Sequence, residues 1–166
     1  MQNYYLKFFL KGKENPFIYQ VSKQTVTRIE ECLLNRNSVT DGGFVEIEHS
    51  SKNQNIYIKI SQVQMCQVLW DYGVVESNNE KEAEFYSLAL VLNGIEEIFY
   101  YSEVEADDLE EIIDSVMSIT NYSPEEFFIR VVDDDGEVNL VKANDIVLME
   151  CLVNHIVDED LSFEHN

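Results

Sequence analysis

The chain has 166 residues, 45% of them hydrophobic, and a formal net charge of −21. This composition supports a packed interior and excludes wholesale disorder, and the length suits one domain or two very small ones that share a core. No segment approaches the roughly 18 uninterrupted apolar residues of a membrane span, and the N-terminus lacks a signal-peptide pattern, so we expect a cytoplasmic protein. We expect Cys32, Cys66 and Cys151, which form no CxxC pair, to be buried reduced thiols.

The negative charge is confined to one half of the chain. Residues 1–70 hold eight basic and six acidic residues, a net charge of +2, whereas residues 71–166 hold three basic and 26 acidic residues, a net charge of −23. An adaptation of the whole protein to salt would spread acidity over both halves. The asymmetry therefore indicates a local cause.

The first half begins with YYLKFFLKGKENPFIYQVS, in which two strand-like runs flank Gly12 and predict a hairpin. The next segment, KQTVTRIEECLLN, places Val26, Ile29, Leu33 and Leu34 on one face and predicts an amphipathic helix. GFVEIEH, the polar turn SSKNQN and IYIKI predict a second hairpin. Two polar residues then lead to a last strand, VQMCQVL.

The second half repeats this order at an offset of 82 to 84 residues. YSLALVLNGIEEIFYYSEV has Gly94 where the first half has Gly12, and ADDLEEIIDSVMS is a second amphipathic helix. FFIRVV, DDDGEV and NLVKA correspond to the second hairpin, and IVLMECL to the last strand. The apolar stripe of the second helix is formed by Leu109, Ile112, Ile113, Val116 and Met117.

We therefore predict an α+β fold built by tandem duplication of a β-β-α-β-β-β unit, with antiparallel sheets that each carry one amphipathic helix, in a pseudo-twofold arrangement. The predicted repeats are residues 1–70 and 86–152, joined by an acidic linker, 71–85, and followed by an acidic tail, 153–166. Because halves of about 65 residues would be marginally stable alone, we expect them to share an apolar surface.

The stretch VVDDDGEVNLV, residues 131–141, could be a calcium loop or a hairpin tip. With Gly136 at the sixth position of an EF-hand loop, the first and twelfth positions would be Val131 and Lys142, neither of which supplies a carboxylate. Asp-Gly between β-branched runs is instead typical of a tight hairpin turn. We predict a hairpin, and no metal or cofactor.

Catalytic and nucleic-acid-binding motifs are not evident. The chain has no phosphate-binding glycine motif, and its three histidines stand beside no recognisable nucleophile motif. Carboxylates are abundant, but nothing in the sequence distinguishes a tuned pair from a solvated face, so we predict that the protein is not an enzyme. The acidic half would repel phosphates, which argues against direct binding to nucleic acid.

The acidic residues of the second half are the candidate partner-binding groups. Asp107, Glu110, Glu111 and Asp114 have the i, i+3, i+4, i+7 spacing of one helix face. The predicted partner-binding set is Asp107, Asp108, Glu110, Glu111, Asp114, Glu125, Glu126, Asp133, Asp134, Asp135 and Glu137.

The sequence is compatible with three functions. The first is a non-enzymatic inhibitor or regulator that occupies the basic surface of a nucleic-acid-handling protein, such as a nuclease, as a nucleic-acid mimic. In character, although no motif aligns, the chain resembles small acidic inhibitors: phage anti-restriction and anti-CRISPR proteins and toxin-immunity proteins. The second is a structural or adaptor domain, acting through strand edges or aromatics such as Tyr100 and Tyr101, with incidental acidity; a homodimer is compatible with the sequence. The third and least favoured is a carboxylate- or metal-dependent enzyme.

Overall fold

The computed structural model describes residues 2–35, 42–71, 85–119 and 127–154. The first half contains β1 (Tyr4–Leu10), β2 (Phe17–Val21), α1 (Lys23–Asn35), β3 (Phe44–Glu48), β4 (Asn55–Lys59), a 3₁₀ turn (Ile60–Gln62) and β5 (Val63–Trp70). The second half contains β6 (Phe85–Leu92), β7 (Ile98–Glu105), α2 (Ala106–Met117), β8 (Phe128–Val132), β9 (Val138–Lys142), a 3₁₀ turn (Ala143–Asp145) and β10 (Ile146–Asn154). All strand pairs in these ranges are antiparallel, so the α+β class is confirmed.

The two halves also agree in backbone detail. β1 pairs with β5 and β6 with β10, and each pair has a bulge near the end of the first strand of its half. After β1 and β6, Gly12 and Gly94 turn the chain with φ of 69° and 75°, a region where a side chain would be strained. Corresponding long-range hydrogen bonds occur as well: Ile60 N–H donates to Gly43 O, and Ala143 N–H to Phe127 O.

The principal sheet is shared between the halves. Its strand order is β2-β1-β5-β9-β8, so β5 of the first half pairs directly with β9 of the second. A three-stranded sheet, β10-β6-β7, belongs to the second half, and a two-stranded sheet, β3-β4, belongs to the first. The counterpart of the β5–β9 pair would be β10 with β4, and these two strands are not paired.

Two apolar cores lie on either side of the shared sheet. The first is centred on α1, where Val26, Ile29 and Leu33 are buried as predicted. The second is centred on α2, where Leu109 and Ile112 are buried. Strands β8 and β9 contribute to both cores, because successive side chains of a strand point to opposite faces.

Two predictions of burial are wrong. Met117, assigned to the apolar stripe of α2, is 74% exposed, whereas Val116 and Ile119 on either side of it pack against the second core, so Met117 lies on the solvent side of the last turn. Cys32 and Cys66 are buried as expected, but Cys151 is exposed. Cys151 lies on β10, which within the described residues has a neighbouring strand on one side only.

A buried lysine joins the two halves at the seam between β5 and β9. The side chain of Lys142, at the end of β9, is 1% exposed. Its Nζ donates to the carbonyl oxygens of Ile60 and Ser61, each at 3.0 Å, and lies 5.4 Å from the centre of the Phe128 ring. An ammonium group is costly to bury without such partners, so this contact orients the β8–β9 hairpin against the first half.

Within the described residues, neither helix has the length and apolarity of a membrane span.

Candidate functional site

Helix α2 presents a row of carboxylates to solvent. Its apolar residues hold one side of the helix against the second core, which leaves Asp107, Asp108, Glu110, Glu111 and Asp114 exposed. Asp107 and Asp108 lie in the first turn, where the positive end of the helix dipole stabilises negative charge. No basic side chain lies in the last turn, so the negative charge of the helix is not balanced along its own length.

A groove of about 580 Å³ runs between α2 and β8. Every residue from Phe127 to Asp133 lines it, and since alternate side chains of a strand point to opposite faces, the groove follows the edge of β8. Its apolar part includes Leu34, Val104 and Ile112. The ionisable side chains that line it are Glu103, Glu105, Asp108, Glu111, Arg130 and Asp133, a formal sum of five negative charges and one positive.

The structure brings only part of the predicted partner-binding set into this groove. Asp108, Glu111 and Asp133 line it, whereas Asp107, Glu110 and Asp114 are exposed on α2 without lining it. The groove-lining side of α2 is thus Asp108, Glu111, Ile112 and Ser115, rotated by about one residue from the face predicted from spacing. Glu125 and Glu126 lie outside the described residues.

Three ionisable groove residues were not in the predicted set. Glu103 and Glu105 are both exposed on β7, and Arg130 is exposed on β8. Their spacing could have identified the two glutamates, because residues two apart on a strand point to the same face, next to the first turn of α2. Nothing in the sequence places Arg130 in the same groove, since this depends on the packing of β8 beside α2.

The hairpin predicted for residues 131–141 is observed, and its acidic tip is fastened to the fold. Gly136 has φ of 80°, and its N–H donates to Asp133 O at 3.0 Å. The carboxylate of Asp134 accepts hydrogen bonds from the N–H and Oγ of Ser102, at 2.9 and 2.5 Å, and from the N–H of Glu103 at 3.1 Å. Asp134 therefore ties the tip to β7.

Two neighbouring carboxylates also have internal partners. Asp133 Oδ1 accepts the N–H groups of Asp135 and Glu137, at 3.0 and 2.9 Å, and so closes its own turn. Glu137 accepts the N–H of Trp70 at 3.4 Å, which links the hairpin to the end of β5. Asp135, at the tip itself, is exposed, and none of the described hydrogen bonds is made by its carboxylate.

Two carboxyl groups of the hairpin tip, those of Asp133 and Glu137, are partly buried and lie near other acidic side chains. Burial raises the pKa of Asp133 and outweighs the lowering by its hydrogen bonds to the N–H groups of Glu137 and Asp135. Burial also raises the pKa of Glu137, with a further contribution from the negative charges of Asp133 and Asp135. Burial, followed by the negative charge of Asp133, raises the pKa of Tyr101 above its ordinary value.

The two tyrosines proposed as exposed contacts differ. Tyr100 is 71% exposed, but Tyr101 is 2% exposed and packs in the second core, so its assignment to the surface is wrong. The alternation of β7 explains the difference, because adjacent residues face opposite sides of the sheet.

The groove carboxylates come from β7, from α2 and from the residue that follows β8. Among residues 2–35, 42–71, 85–119 and 127–154, no three His, Cys, Asp or Glu side chains are placed to hold one metal ion. No protein-family model matches the chain, and neither the curated proteins nor the solved structures include a detectably similar one.

Proposed function

We propose that the protein is a non-enzymatic binding protein whose acidic second half occupies the basic surface of a nucleic-acid-handling protein, such as a nuclease. The groove beside β8 and the exposed carboxylates of α2 are the contact surface. In the partner, that surface would otherwise hold nucleic-acid phosphates, so binding would inhibit or regulate it. The reduced state of Cys32, Cys66 and Cys151 is consistent with a reducing compartment, and we place the protein in the cytoplasm.

The observation that carries this proposal is the groove itself. Glu103, Glu105, Asp108 and Glu111 come from the end of β7 and the start of α2, and they line one groove together with apolar side chains that include Ile112. A groove lined by both apolar side chains and carboxylates favours arginine-rich segments, whose side chains combine an apolar stem with a cationic head. Long-range attraction between the two surfaces would accelerate association.

We also propose that the two halves arose by tandem duplication. The common order of elements, the common bulge and the paired hydrogen bonds support it. A further correspondence is a lysine over an aromatic ring: Lys59 Nζ lies 5.9 Å from the Phe44 ring centre, as Lys142 Nζ lies 5.4 Å from that of Phe128. The acidic surface then belongs to one copy of a shared scaffold.

The experiment begins with capture of a partner at low salt, followed by titration of that purified partner with variants. Neutralising Asp107, Glu110, Glu111 and Asp114 together (to Asn or Gln) changes the formal net charge from −21 to −17. We expect this variant to lose binding while its circular dichroism and unfolding midpoint are retained, because all four side chains are exposed. The matched control neutralises four exposed glutamates elsewhere, with the same charge change: Glu14, Glu31, Glu48 and Glu96.

Two double variants locate the contact on the helix. Asp108→Asn with Glu111→Gln removes groove charges, and Asp107→Asn with Glu110→Gln removes the same number outside the groove. We expect the groove pair to weaken binding at least about tenfold more than the outer pair, given the distance dependence of screened charges. Equal affinity for wild type and all variants would refute the assignment of this surface.

A second function, an adaptor that pairs through apolar surface, is favoured by exposed side chains away from the groove. Tyr57 is 60% exposed, Tyr100 71%, and Leu152 66%. Salt distinguishes the two functions, because an acidic contact weakens as ionic strength rises and an apolar one does not. An affinity for the captured partner that is insensitive to salt would favour the adaptor.

A further inference from the structure

We propose that β10 binds the β3–β4 hairpin of a second copy of this chain, through the same pairing that β5 and β9 make within one chain. This inference rests on the structural equivalence of the two halves and is independent of the function proposed for the acidic groove.

Strand β10 has the features of an edge that is completed by another strand. It runs for nine residues, from Ile146 to Asn154, and among the described residues it pairs with β6 alone. Three of its apolar side chains are exposed: Val147 (61%), Leu148 (44%) and Leu152 (66%). The unpaired backbone groups of a long apolar edge strand can pair with a further strand, and proteins usually cover such an edge or place charged side chains on it.

The equivalent edge in the first half is covered. β5 occupies the position in its half that β10 has in the other, and its Met65 and Cys66 have no exposed surface. The strand that covers it is β9, which pairs with residues Met65 to Val68 of β5. Lys142, next to this pair, bonds the carbonyl oxygens of the 3₁₀ turn that precedes β5.

The strand equivalent to β9 is β4, and its outer edge is available. β4 and β9 each have five residues and end in lysine. Their first residues are 83 positions apart in the sequence, and the first residues of β5 and β10 are separated by the same 83 positions. Within the described residues β4 pairs with β3 alone, and Lys59 is exposed where Lys142 is buried. The β5–β9 register, moved by 83 residues, pairs Leu148 with Ile58, Met149 with Tyr57, Glu150 with Ile56 and Cys151 with Asn55.

The hairpin that completes β10 comes from another chain because the chain's own hairpin is held elsewhere. Val45 and Ile47 of β3 are 3% and 0% exposed in the core around α1. After β3, Ser50 N–H donates to Gln20 O at 2.9 Å, and Ile60 N–H donates to Gly43 O at 2.9 Å. Moving this hairpin to β10 of the same chain would break these contacts, whereas a second copy can present its β4 edge with them intact.

Charge favours the same pairing. β4 belongs to residues 1–70, of net charge +2, and β10 belongs to residues 71–166, of net charge −23. A contact between unlike halves avoids placing the two acidic halves against each other. In a twofold dimer each copy gives its hairpin and receives the other, and the assembly is closed. Lys59 Nζ would then reach the carbonyl oxygens of Ala143 and Asn144 in the second copy, as Lys142 reaches those of Ile60 and Ser61.

A disulfide tests the register. Asn55→Cys places a thiol opposite the exposed Cys151, and mild oxidation of this variant should give a covalent dimer on a non-reducing gel. Adding Cys151→Ser should abolish the dimer, and Thr27→Cys, exposed on α1, should not produce it. Overturning results are a disulfide between the Asn55→Cys thiol and Cys151 within one chain, or a Cys151–Cys151 dimer formed equally by the wild-type chain, which would indicate pairing of two β10 strands.

Mass and a lysine variant test the contact without oxidation. Light scattering on a sizing column at physiological ionic strength should give twice the 19.3 kDa of the chain. Lys59→Gln should raise the dimer dissociation constant about tenfold, since it removes the charge-assisted bonds, whereas Lys52→Gln, an exposed lysine in the β3–β4 turn, should leave it unchanged. A mass of 19.3 kDa at all concentrations refutes the dimer, and an equal effect of both variants refutes the role of Lys59. Either result leaves the acidic-groove proposal intact, because the groove variants bear on binding to the captured partner alone.

Discussion

Replacing Lys142 should destabilise the whole protein, because this side chain fastens one half to the other. In Lys142→Met the aliphatic volume is largely kept, and the hydrogen bonds to the carbonyls of Ile60 and Ser61, both at 3.0 Å, are lost. Charge-assisted hydrogen bonds contribute about 1.5–3 kcal/mol each, and relief from burying the ammonium group offsets part of this loss. We expect the free energy of unfolding to fall by about 2 kcal/mol for Lys142→Met, and by about 3–4 kcal/mol for Lys142→Ala, which also loses packing at a side chain only 1% exposed.

The assay is urea unfolding followed by circular dichroism and by tryptophan fluorescence, which reports on Trp70 at the end of β5. Lys13→Met is the matched control, because it makes the same change of charge and side chain at an exposed position in the turn after β1. We expect the control to stay within about 0.5 kcal/mol of wild type. A Lys142→Met protein as stable as the control would refute the role of Lys142 at the seam.

The remaining predictions concern the hairpin tip. Asp134→Ala should lower the free energy of unfolding by about 1–2 kcal/mol, measured by urea unfolding, because its carboxylate accepts three hydrogen bonds from β7, whereas Asp135→Ala should change it by less than about 0.5 kcal/mol; equal effects would contradict this. The pKa values of Asp133 and Glu137 are raised in the folded protein, so protonation of these two groups stabilises the folded state. This stabilisation is complete below their ordinary pKa values of 3.8 and 4.5, and it is lost as pH rises through the higher pKa values of the folded state. These two groups should therefore contribute a rise in stability as pH falls through their raised folded values toward the ordinary ones, and Asp133→Asn should flatten this dependence more than Asp135→Asn. A slope unchanged by Asp133→Asn would refute it.

The local sequence pattern was sufficient to predict the helices, the strands and the tip of the hairpin at residues 131–141. Alternation and helical spacing placed the strands and both helices, since these periodicities follow from backbone geometry alone. Asp-Gly at 135–136 predicted a tight turn for the same reason, and Gly136 does adopt a positive φ. The asymmetry of charge also needs no structure, because it is a property of composition.

Spacing gave a less accurate account of the candidate site. The i, i+3, i+4, i+7 rule identifies which carboxylates share a helix face, but the orientation of α2 on the sheet decides that Asp108 and Glu111 line the groove and Asp107 does not. Tyr101 and Met117 show the same limit at single residues, because burial depends on which neighbour covers each face.

The sequence by itself determined the order of elements, the location of the acidity and the chemistry of the turns, all of which depend on near neighbours along the chain. Only the tertiary structure decided that β5 pairs with β9 across the two halves, that Lys142 is buried at their seam, and that β10 keeps an exposed edge. Strand partners are chosen by contacts between residues far apart in the chain, such as Met65 and Val141, and no local period encodes that choice.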